Sequence, residues 1–157
     1  MALTKEQIKT DYPLPVYNYR VNIGNDTFAF SEVSGLDISY QPITYKESQT
    51  APGKRGPNIM YMPGQIAEVN ISLKKGWVTK KSMPVLYEWI KGVELNRVDK
   101  KDITVSLCDE AGAAVVTWKV IDCFPTKLSA PTFDSNSNEV AVETMELRAS
   151  FVTIEAA

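Results

Sequence analysis

The sequence of 157 residues contains no histidine and only two cysteines. Without histidine, Ser-His-Asp and Cys-His catalysis are excluded, and the commonest nitrogen ligand of metal ions is missing. Cys108 and Cys123 do not form a Cys-x-x-Cys pair, so a metal site is not expected. If residues 109–113 form a hairpin turn, the two thiols lie too far apart for a disulfide. We therefore expect no catalytic residue, no metal and no cofactor, and two free thiols.

The chain also lacks long apolar runs, an excess of basic residues and the common nucleotide and hydrolase motifs. No run approaches the ~18 apolar residues of a membrane span, and the net charge of −2 does not favour nucleic-acid binding. There is no phosphate-binding loop, no G-x-S-x-G and no G-x-G-x-x-G after a strand. The first residues carry no apolar segment typical of a signal peptide. Stable nucleic-acid or membrane binding is not expected, nor is export by general secretion.

What the chain does contain is strict alternation of apolar and polar residues. From Thr144 to Ile154, Met145, Leu147 and Phe151 share one face, whereas polar residues occupy the other. The segment Ile66–Lys74 repeats the pattern. Period-2 alternation predicts strands with one buried and one solvated face. Here the solvated face is broad, which raises the question of what it contacts.

Further strands are predicted in pairs, with one helix between the two halves of the chain. Val16–Ile23 and Thr27–Val33 read as one hairpin, and Ile103–Leu107 and Val115–Phe124 as a second. Ser82 as N-cap, Pro84 and a following Gly92 delimit a helix. Its apolar stripe is typical of core packing and consists of Val85, Leu86, Trp89, Ile90 and Val93. We predict a single, mainly β domain over residues 1–157, a small antiparallel barrel or sandwich with one α-helix.

Three segments do not fit the strand pattern. Residues 1–15 are predicted to be an arm, which begins polar and then contains Tyr12-Pro13-Leu14-Pro15, a stretch that favours an extended backbone. Residues 48–58 form an exposed basic loop, rich in glycine and proline, that is longer than a hairpin needs. Thr126–Asn138 is predicted to be a loop as well. The apolar phase also changes at Pro42, which indicates a bulge or an edge position.

Two tryptophans have competing interpretations. Trp118 shares a strand face with Val116 and Val120, which favours the core. Trp77 directly follows the predicted strand that ends at Lys74, and it suits the core and an interface equally well. Solvated sheet surface is the simplest interpretation of Glu68, Glu146 and Arg148 on pattern alone.

Several stretches resemble the inner-tube protein of contractile phage tails and of phage-derived extracellular contractile injection systems. The clearest is Phe28–Leu36, which contains F-x-E-V-S-G-L. The proline-containing opening, residues 13–21, is similar too. So are Met62-Pro63-Gly64, the run Val69–Gly76 and the ending from Cys123 through Glu146. The stretches are short, but their order and spacing cover nearly the whole chain.

The resemblance implies a tail-tube-like fold, six-fold rings of identical subunits and a hollow tube of stacked rings, driven through a target membrane by a contracting sheath. A broad polar sheet face then lines a water-filled lumen that can hold cargo. The residues expected there are Glu68, Asn70, Ser72, Lys119, Thr144, Glu146 and Arg148, with Asp37, Ser39 and Gln41 beside them. For contacts between rings we expect Pro52, Gly53, Lys54, Arg55, Gly56 and Pro57.

The implied partners are further copies of the chain, a sheath protein, and baseplate and tube-terminating proteins. Assembly is expected in the bacterial cytoplasm, as part of a phage virion or a released phage-tail-like particle. Two alternatives remain open at this point. One is a baseplate tube adaptor of the same family, and the other is an unrelated β-sandwich module that binds a ligand such as a carbohydrate.

Overall fold

A computed structural model describes residues 2–78, 80 and 82–156, and for residues 82 and 83 it describes the backbone only. Its helical segments are α1 (Lys5–Asp11), a π-helical turn (Ser82–Tyr87) and α2 (Glu88–Lys91). The first five strands are β1 (Tyr19–Ile23), β2 (Asp26–Phe28), β3 (Glu32–Ser34), β4 (Tyr40–Glu47) and β5 (Asn58–Ile66). The others are β6 (Val69–Gly76), β7 (Lys101–Cys108), β8 (Ala114–Ser129), β9 (Val142–Ala149) and β10 (Phe151–Ala156).

Eight strands, seven in one path and β10 beside it, form a sheet that folds into a sandwich because β8 belongs to both layers. The order is β2-β1-β7-β8-β9-β6-β3, with β10 also paired to β8. All pairs are antiparallel. The first half of β8 pairs with β7 and β10, and its second half pairs with β9. The mainly β prediction is confirmed, in its sandwich form, since β2 and β3 at the two ends of the path do not pair and no barrel closes.

The two layers meet where two long strands bend together. Asp122 in β8 takes a positive φ of 52°, and Ser150 interrupts the strand predicted to run from Thr144 to Ile154. The Ser150 amide donates to the Ile121 carbonyl at 3.0 Å, which holds the bends side by side. The bend reverses the phase, so Val152 is buried while Phe151 is 41% exposed. The expectation that Phe151 shares the buried face of Leu147 was therefore wrong.

The core lies between the layers and is built from the apolar phase of the strands. Val21, Ile103 and Val120 come from one layer, and Ile71 and Leu147 from the other. The helical segment covers this core with Leu86 and Trp89, whose indole Nε1 donates to the Asp99 carbonyl at 2.7 Å. The predicted apolar stripe is thus confirmed in its centre, whereas Val93 is exposed. The predicted cap, the side chain of Ser82, lies outside the described residues.

Both cysteines are buried free thiols, as expected. Cys108 pairs with Ala114 beside the turn, and Cys123 pairs with Lys101 at the far end of the same β7–β8 ladder. Burial raises the pKa of the Cys123 thiol to about 12. The thiol therefore stays protonated near neutral pH and is a poor nucleophile.

The structure refines two predictions about the irregular segments. The N-terminal arm contains the short helix α1, which was not predicted, because Thr4 and Gln7 form a reciprocal capping box. Residues 12–15, which were predicted to be extended, lie outside this helix. The predicted loop Thr126–Asn138 begins too early, since β8 continues to Ser129 past a register shift after Pro125.

Candidate functional site

The polar face of β6 and β9 brings together six side chains expected from the sequence. Asn70 lies opposite Arg148, and Ser72 lies opposite Glu146. Arg148 donates from Nε to Oδ1 of Asn70 at 2.8 Å, and its guanidinium forms an ion pair with Glu68 at 3.2 Å. Thr144 completes the set on the same face, opposite Lys74. The six residues lie together because antiparallel pairing aligns the polar phases of neighbouring strands.

The same face extends onto β3 and the second half of β8. Glu32 lies opposite Lys74 and forms an ion pair with it at 3.4 Å. On the other side, Lys127 lies opposite Glu146. The sequence analysis missed these charges, because β3 is only three residues long and Lys127 follows a register shift. With them the face carries charges of both signs, distributed over β3, β6, β8 and β9.

The other residues expected on this face lie outside β6 and β9. Lys119 belongs to the layer of β7 and β10, where it pairs with Thr104 and Thr153 and forms an ion pair with Glu155 at 3.6 Å, so it lies apart from the six. Asp37 and Ser39 are exposed in the connection from β3 to β4. Gln41 lies in β4, at the register shift after Tyr40. This connection passes the start of β6, since the Ser39 carbonyl accepts from the amide of Ala67, the residue before Glu68.

The strands β4 and β5 form a two-stranded hairpin outside the sandwich. None of its side chains is buried, in contrast to β6 and β9. The register places two apolar pairs on one face, Ile43 with Met62 and Tyr45 with Met60. The large apolar side chains exposed on the hairpin are Tyr40, Ile43, Tyr45, Ile59, Met60, Tyr61, Met62 and Ile66. The phase change expected at Pro42 is confirmed by the register shift beside it.

The entry into this hairpin is fixed by a glycine. Gly35 has a positive φ of 90° and approaches the backbone of β6 so closely that a Cβ would collide with the carbonyl oxygen of Asn70. Only glycine can adopt this positive φ without strain and, having no Cβ, also fit this close to another strand. The Ala67 amide then donates to the Ser39 carbonyl at 2.9 Å, which ties the base of the hairpin to the first turn before β6.

The basic loop lies at the tip of the hairpin. It occupies residues 48–57, because Asn58 already begins β5. Gly53 and Gly56 both have positive φ values, 84° and 76°, and nothing lies close to either. Pro52, Lys54, Arg55 and Pro57 are exposed beside them. All six residues predicted for contacts between rings therefore lie together on one exposed tip.

The N-terminal helix α1 lies near the opposite layer. Lys9 forms an ion pair with Glu110, in the turn between β7 and β8, at 3.1 Å. The hydrogen bond with Glu110 raises the pKa of Lys9 above its usual range. No side chain of the helix is buried. A single exposed ion pair contributes little free energy, so the helix is weakly held.

No group of three His, Cys, Asp or Glu side chains suited to a metal ion lies among the residues that the structure describes. Within residues 2–78, 80 and 82–156, no helix has the length and apolar character to cross a bilayer. The described surface offers instead a broad polar sheet face and an apolar hairpin with a basic tip.

Comparison with known proteins gives one family and several solved structures. Residues 15–153 match the model of the T4-like virus tail tube protein gp19. A chain of the sheath–tube complex of PVC, an extracellular contractile injection system, in its extended state is 41% identical, with a TM-score of 0.88 over 99% of this chain and 100% of that one. A chain of the anti-feeding prophage cap, described as a tube-terminating cap, is 42% identical over the full length of both, with a TM-score of 0.85.

A chain of the six-fold symmetrised baseplate of the anti-feeding prophage is 18% identical, with a TM-score of 0.76 over 92% of this chain and 96% of that one. At that identity the likeness concerns the fold alone. A comparison with curated proteins gave no match.

Proposed function

The chain belongs to the T4-like virus tail tube protein gp19 family, and we propose that it is the repeating subunit of a hollow inner tube in a contractile injection machine or phage tail. Six copies form a ring, and rings stack into the tube. A contracting sheath drives the tube through a target membrane. The family membership and the 41% identity to a chain of a sheath–tube complex support a tube-type structural protein.

The observation that carries the ring is the exposed apolar face of the hairpin, formed by Ile43, Tyr45, Met60 and Met62. A large contiguous apolar patch on a soluble subunit marks a protein interface. In the tube, this face packs on a neighbouring copy. The hairpin also has free strand edges, which a neighbouring copy protects from random pairing.

The six polar residues around Arg148 line the lumen of the tube in this proposal. Asp37, Ser39 and Gln41 line its margin, because they lead from β3 into the hairpin. Lys119 is left out, because it lies in the other layer. Because charges of both signs lie on this face, the lumen has a polar, hydrated wall that does not retain cargo of one charge sign.

The tip loop provides contacts between successive rings. Head-to-tail contacts between unlike surfaces produce open stacks rather than closed assemblies. Such a contact needs a projecting element on one end of each subunit and a receiving surface on the other. Residues 52–57 are the projecting element, and α1 is the second candidate.

We place the subunit in a particle assembled in the bacterial cytoplasm, with a sheath, a baseplate and a tube-terminating protein as partners. The similar chains belong to structures of a sheath–tube complex, a tube-terminating cap and a baseplate. One alternative remains, a baseplate adaptor of the same family. It derives its support from the fold shared with the baseplate chain. The alternative of an unrelated ligand-binding module is set aside, because the chain belongs to the tail tube protein family.

The experiment is negative-stain electron microscopy of the purified protein, alone and with its baseplate and sheath. Six-fold rings and tubes of uniform width are expected. A deletion of Ala51–Pro57 leaves the subunit folded, because the loop holds no core residue, and yields rings that stack poorly. Monomers alone at high concentration, even beside a baseplate, contradict the ring. A single ring on each baseplate, with the tube built from another protein, favours the adaptor.

A further inference from the structure

A cavity of about 420 Å³ lies where β6, β8 and β9 reach the same end of their layer. Its walls are mostly apolar and aromatic. They include Trp77 after β6, Leu128 near the end of β8, Pro131, and Phe133, which is 86% exposed. Glu143 in β9 is the one charged side chain of this lining.

Glu143 is 2% exposed, and among the described residues neither of its carboxylate oxygens has a hydrogen-bond partner. A buried carboxylate without partners costs several kcal/mol unless an opposite charge or donors reach it. Lys75 lies directly opposite in the β6–β9 ladder and is also buried, 6% exposed, but it makes no hydrogen bond to the carboxylate. The described part of the subunit therefore leaves this acid without a hydrogen bond beside a mostly apolar cavity.

The base of the hairpin and the cavity lie at opposite ends of β6. The hairpin leaves the sandwich beside Ala67, just before β6 begins at Val69. The cavity lies beyond Gly76, where β6 ends. Eight residues of strand separate the hairpin base from the cavity by roughly 25 Å. A head-to-tail stack requires a projecting element and a receiving surface that are distinct, and a hairpin rooted at one end of β6 with a cavity at the other meets that requirement.

We propose that this cavity is the receiving site for a second copy of the chain, and that it takes the cationic side chain of Lys54 or Arg55 from the hairpin tip. This inference rests on the stacking of rings proposed above and names its receptor. The carboxylate of Glu143 supplies the opposite charge. Trp77 and Phe133 supply aromatic faces, against which a lysine or arginine side chain packs favourably.

The tip residues suit this role because they are available. Both side chains are exposed, and none of the ion pairs found among the described residues involves either of them. Entry of the cation into the cavity removes the unsatisfied charge of Glu143. Charge pairs enclosed at an interface are worth more than exposed ones, because water screens them less.

The first test is the isosteric, neutral substitution Glu143→Gln. It raises the melting temperature of the unstacked subunit, because it removes an unpaired buried charge. It also raises the protein concentration needed for stacking by about tenfold or more, as expected for loss of an enclosed charge pair. The matched control is Glu146→Gln, on the exposed face of the same strand, which changes neither quantity appreciably. Stack length and number are counted by electron microscopy beside the baseplate, and melting is measured below the stacking concentration.

The second test is a double-mutant cycle with Lys54→Gln/Arg55→Gln at the tip. If Glu143 contacts the tip of the neighbouring copy, the variant that combines Glu143→Gln with the tip substitutions stacks as well as whichever of the two separate variants stacks more weakly. Fully additive losses overturn the inference. So does a lower melting temperature of Glu143→Gln, since Glu143 would then be paired with Lys75 within the subunit.

If Glu143→Gln fails to fold, Phe133→Ser takes its place, because Phe133 is largely exposed and contributes little to the core. It weakens stacking in the wild-type background and adds no loss to the tip variant. Additive losses again overturn the inference. Wild-type protein that forms no rings or stacks at all contradicts the proposed function, whereas normal stacking of the wild type and of Glu143→Gln contradicts the receptor alone.

Discussion

The strand pair β6–β9 and the hairpin β4–β5 have similar lengths but opposite surroundings. In β6, Val69, Ile71 and Leu73 are buried, and the residues between them face outward. In β4 and β5 no side chain is buried, although both strands carry large apolar residues. The first pair satisfies its apolar phase within the subunit. The second has a comparable apolar face, built from Ile43, Tyr45, Met60 and Met62, and the subunit offers nothing to cover it.

This difference separates two kinds of stabilisation. Burial of apolar surface contributes about 25 cal/mol per Å² wherever it occurs. For β6–β9 this contribution is available to the single chain. For the hairpin it becomes available only when another copy packs against it. Substitutions in β6–β9 should therefore change the stability of the single subunit, whereas substitutions on the hairpin should change assembly. We rank four substitution sites by the expected change in the free energy of unfolding of the unassembled subunit, from the largest to the smallest.

The largest effect is expected in the buried phase of β9. Leu147 is fully buried, so Leu147→Ala loses apolar burial and leaves a cavity, at a cost of about 2–5 kcal/mol. Urea or thermal unfolding of the unassembled subunit measures it. A loss below about 1 kcal/mol would mean that the apolar phase of β9 is not the core of the subunit.

A smaller effect is expected just past the bend at Ser150. Phe151 is 41% exposed, so Phe151→Ala costs less than Leu147→Ala, about 1–2 kcal/mol. Val152→Ala serves as the control, because Val152 has taken over the buried phase. A loss at Phe151 equal to that at Leu147 would contradict the reversal of phase at the bend.

The polar side chains of β9 should contribute still less to the free energy of unfolding of the subunit. Glu146 is exposed and lies opposite Ser72 and Lys127, so Glu146→Ala changes the free energy of unfolding by about 0–1 kcal/mol. The same unfolding measurement, repeated in high salt, should reduce even this difference, because exposed charges are screened over about 8–10 Å. If its cost matches that of Leu147→Ala, the assignment of the two faces is wrong.

The smallest effect on the subunit is expected on the hairpin. Replacement of Ile43 and Met62 by serine changes the free energy of unfolding of the sandwich by no more than about 0.5 kcal/mol, because both side chains lie on the separate hairpin and neither packs in the core. The same variant loses ring formation, seen by electron microscopy or mass measurement. Thr44→Ser, on the other face of the hairpin, is the matched control and assembles normally. Intact rings of the double variant would refute the assignment of this face to an interface.

Much of the fold follows from local patterns in the sequence. Alternation in Ile66–Lys74 predicted β6 and its buried phase, and Pro42 predicted the irregular register of β4. The six polar residues around Arg148 lie on one face of β6 and β9, because antiparallel pairing places residues of the same phase side by side, whereas their place in a lumen stays a prediction. The missed elements depend on contacts distant in sequence. Nothing local shows that β8 continues past Pro125, or that Lys119 falls in the layer opposite Glu146.

The sequence by itself determined most of the strands, the buried phase of β6 and of β9 as far as Ala149, and the absence of histidine chemistry, because these depend only on residue type and spacing. The tertiary structure alone decided the bends at Asp122 and Ser150, the isolation of the hairpin and the unsatisfied carboxylate of Glu143. The physical reason is that burial belongs to a packed arrangement and not to a residue. The same alternating pattern that completes a core in β6 leaves an apolar face open to a second copy in the hairpin.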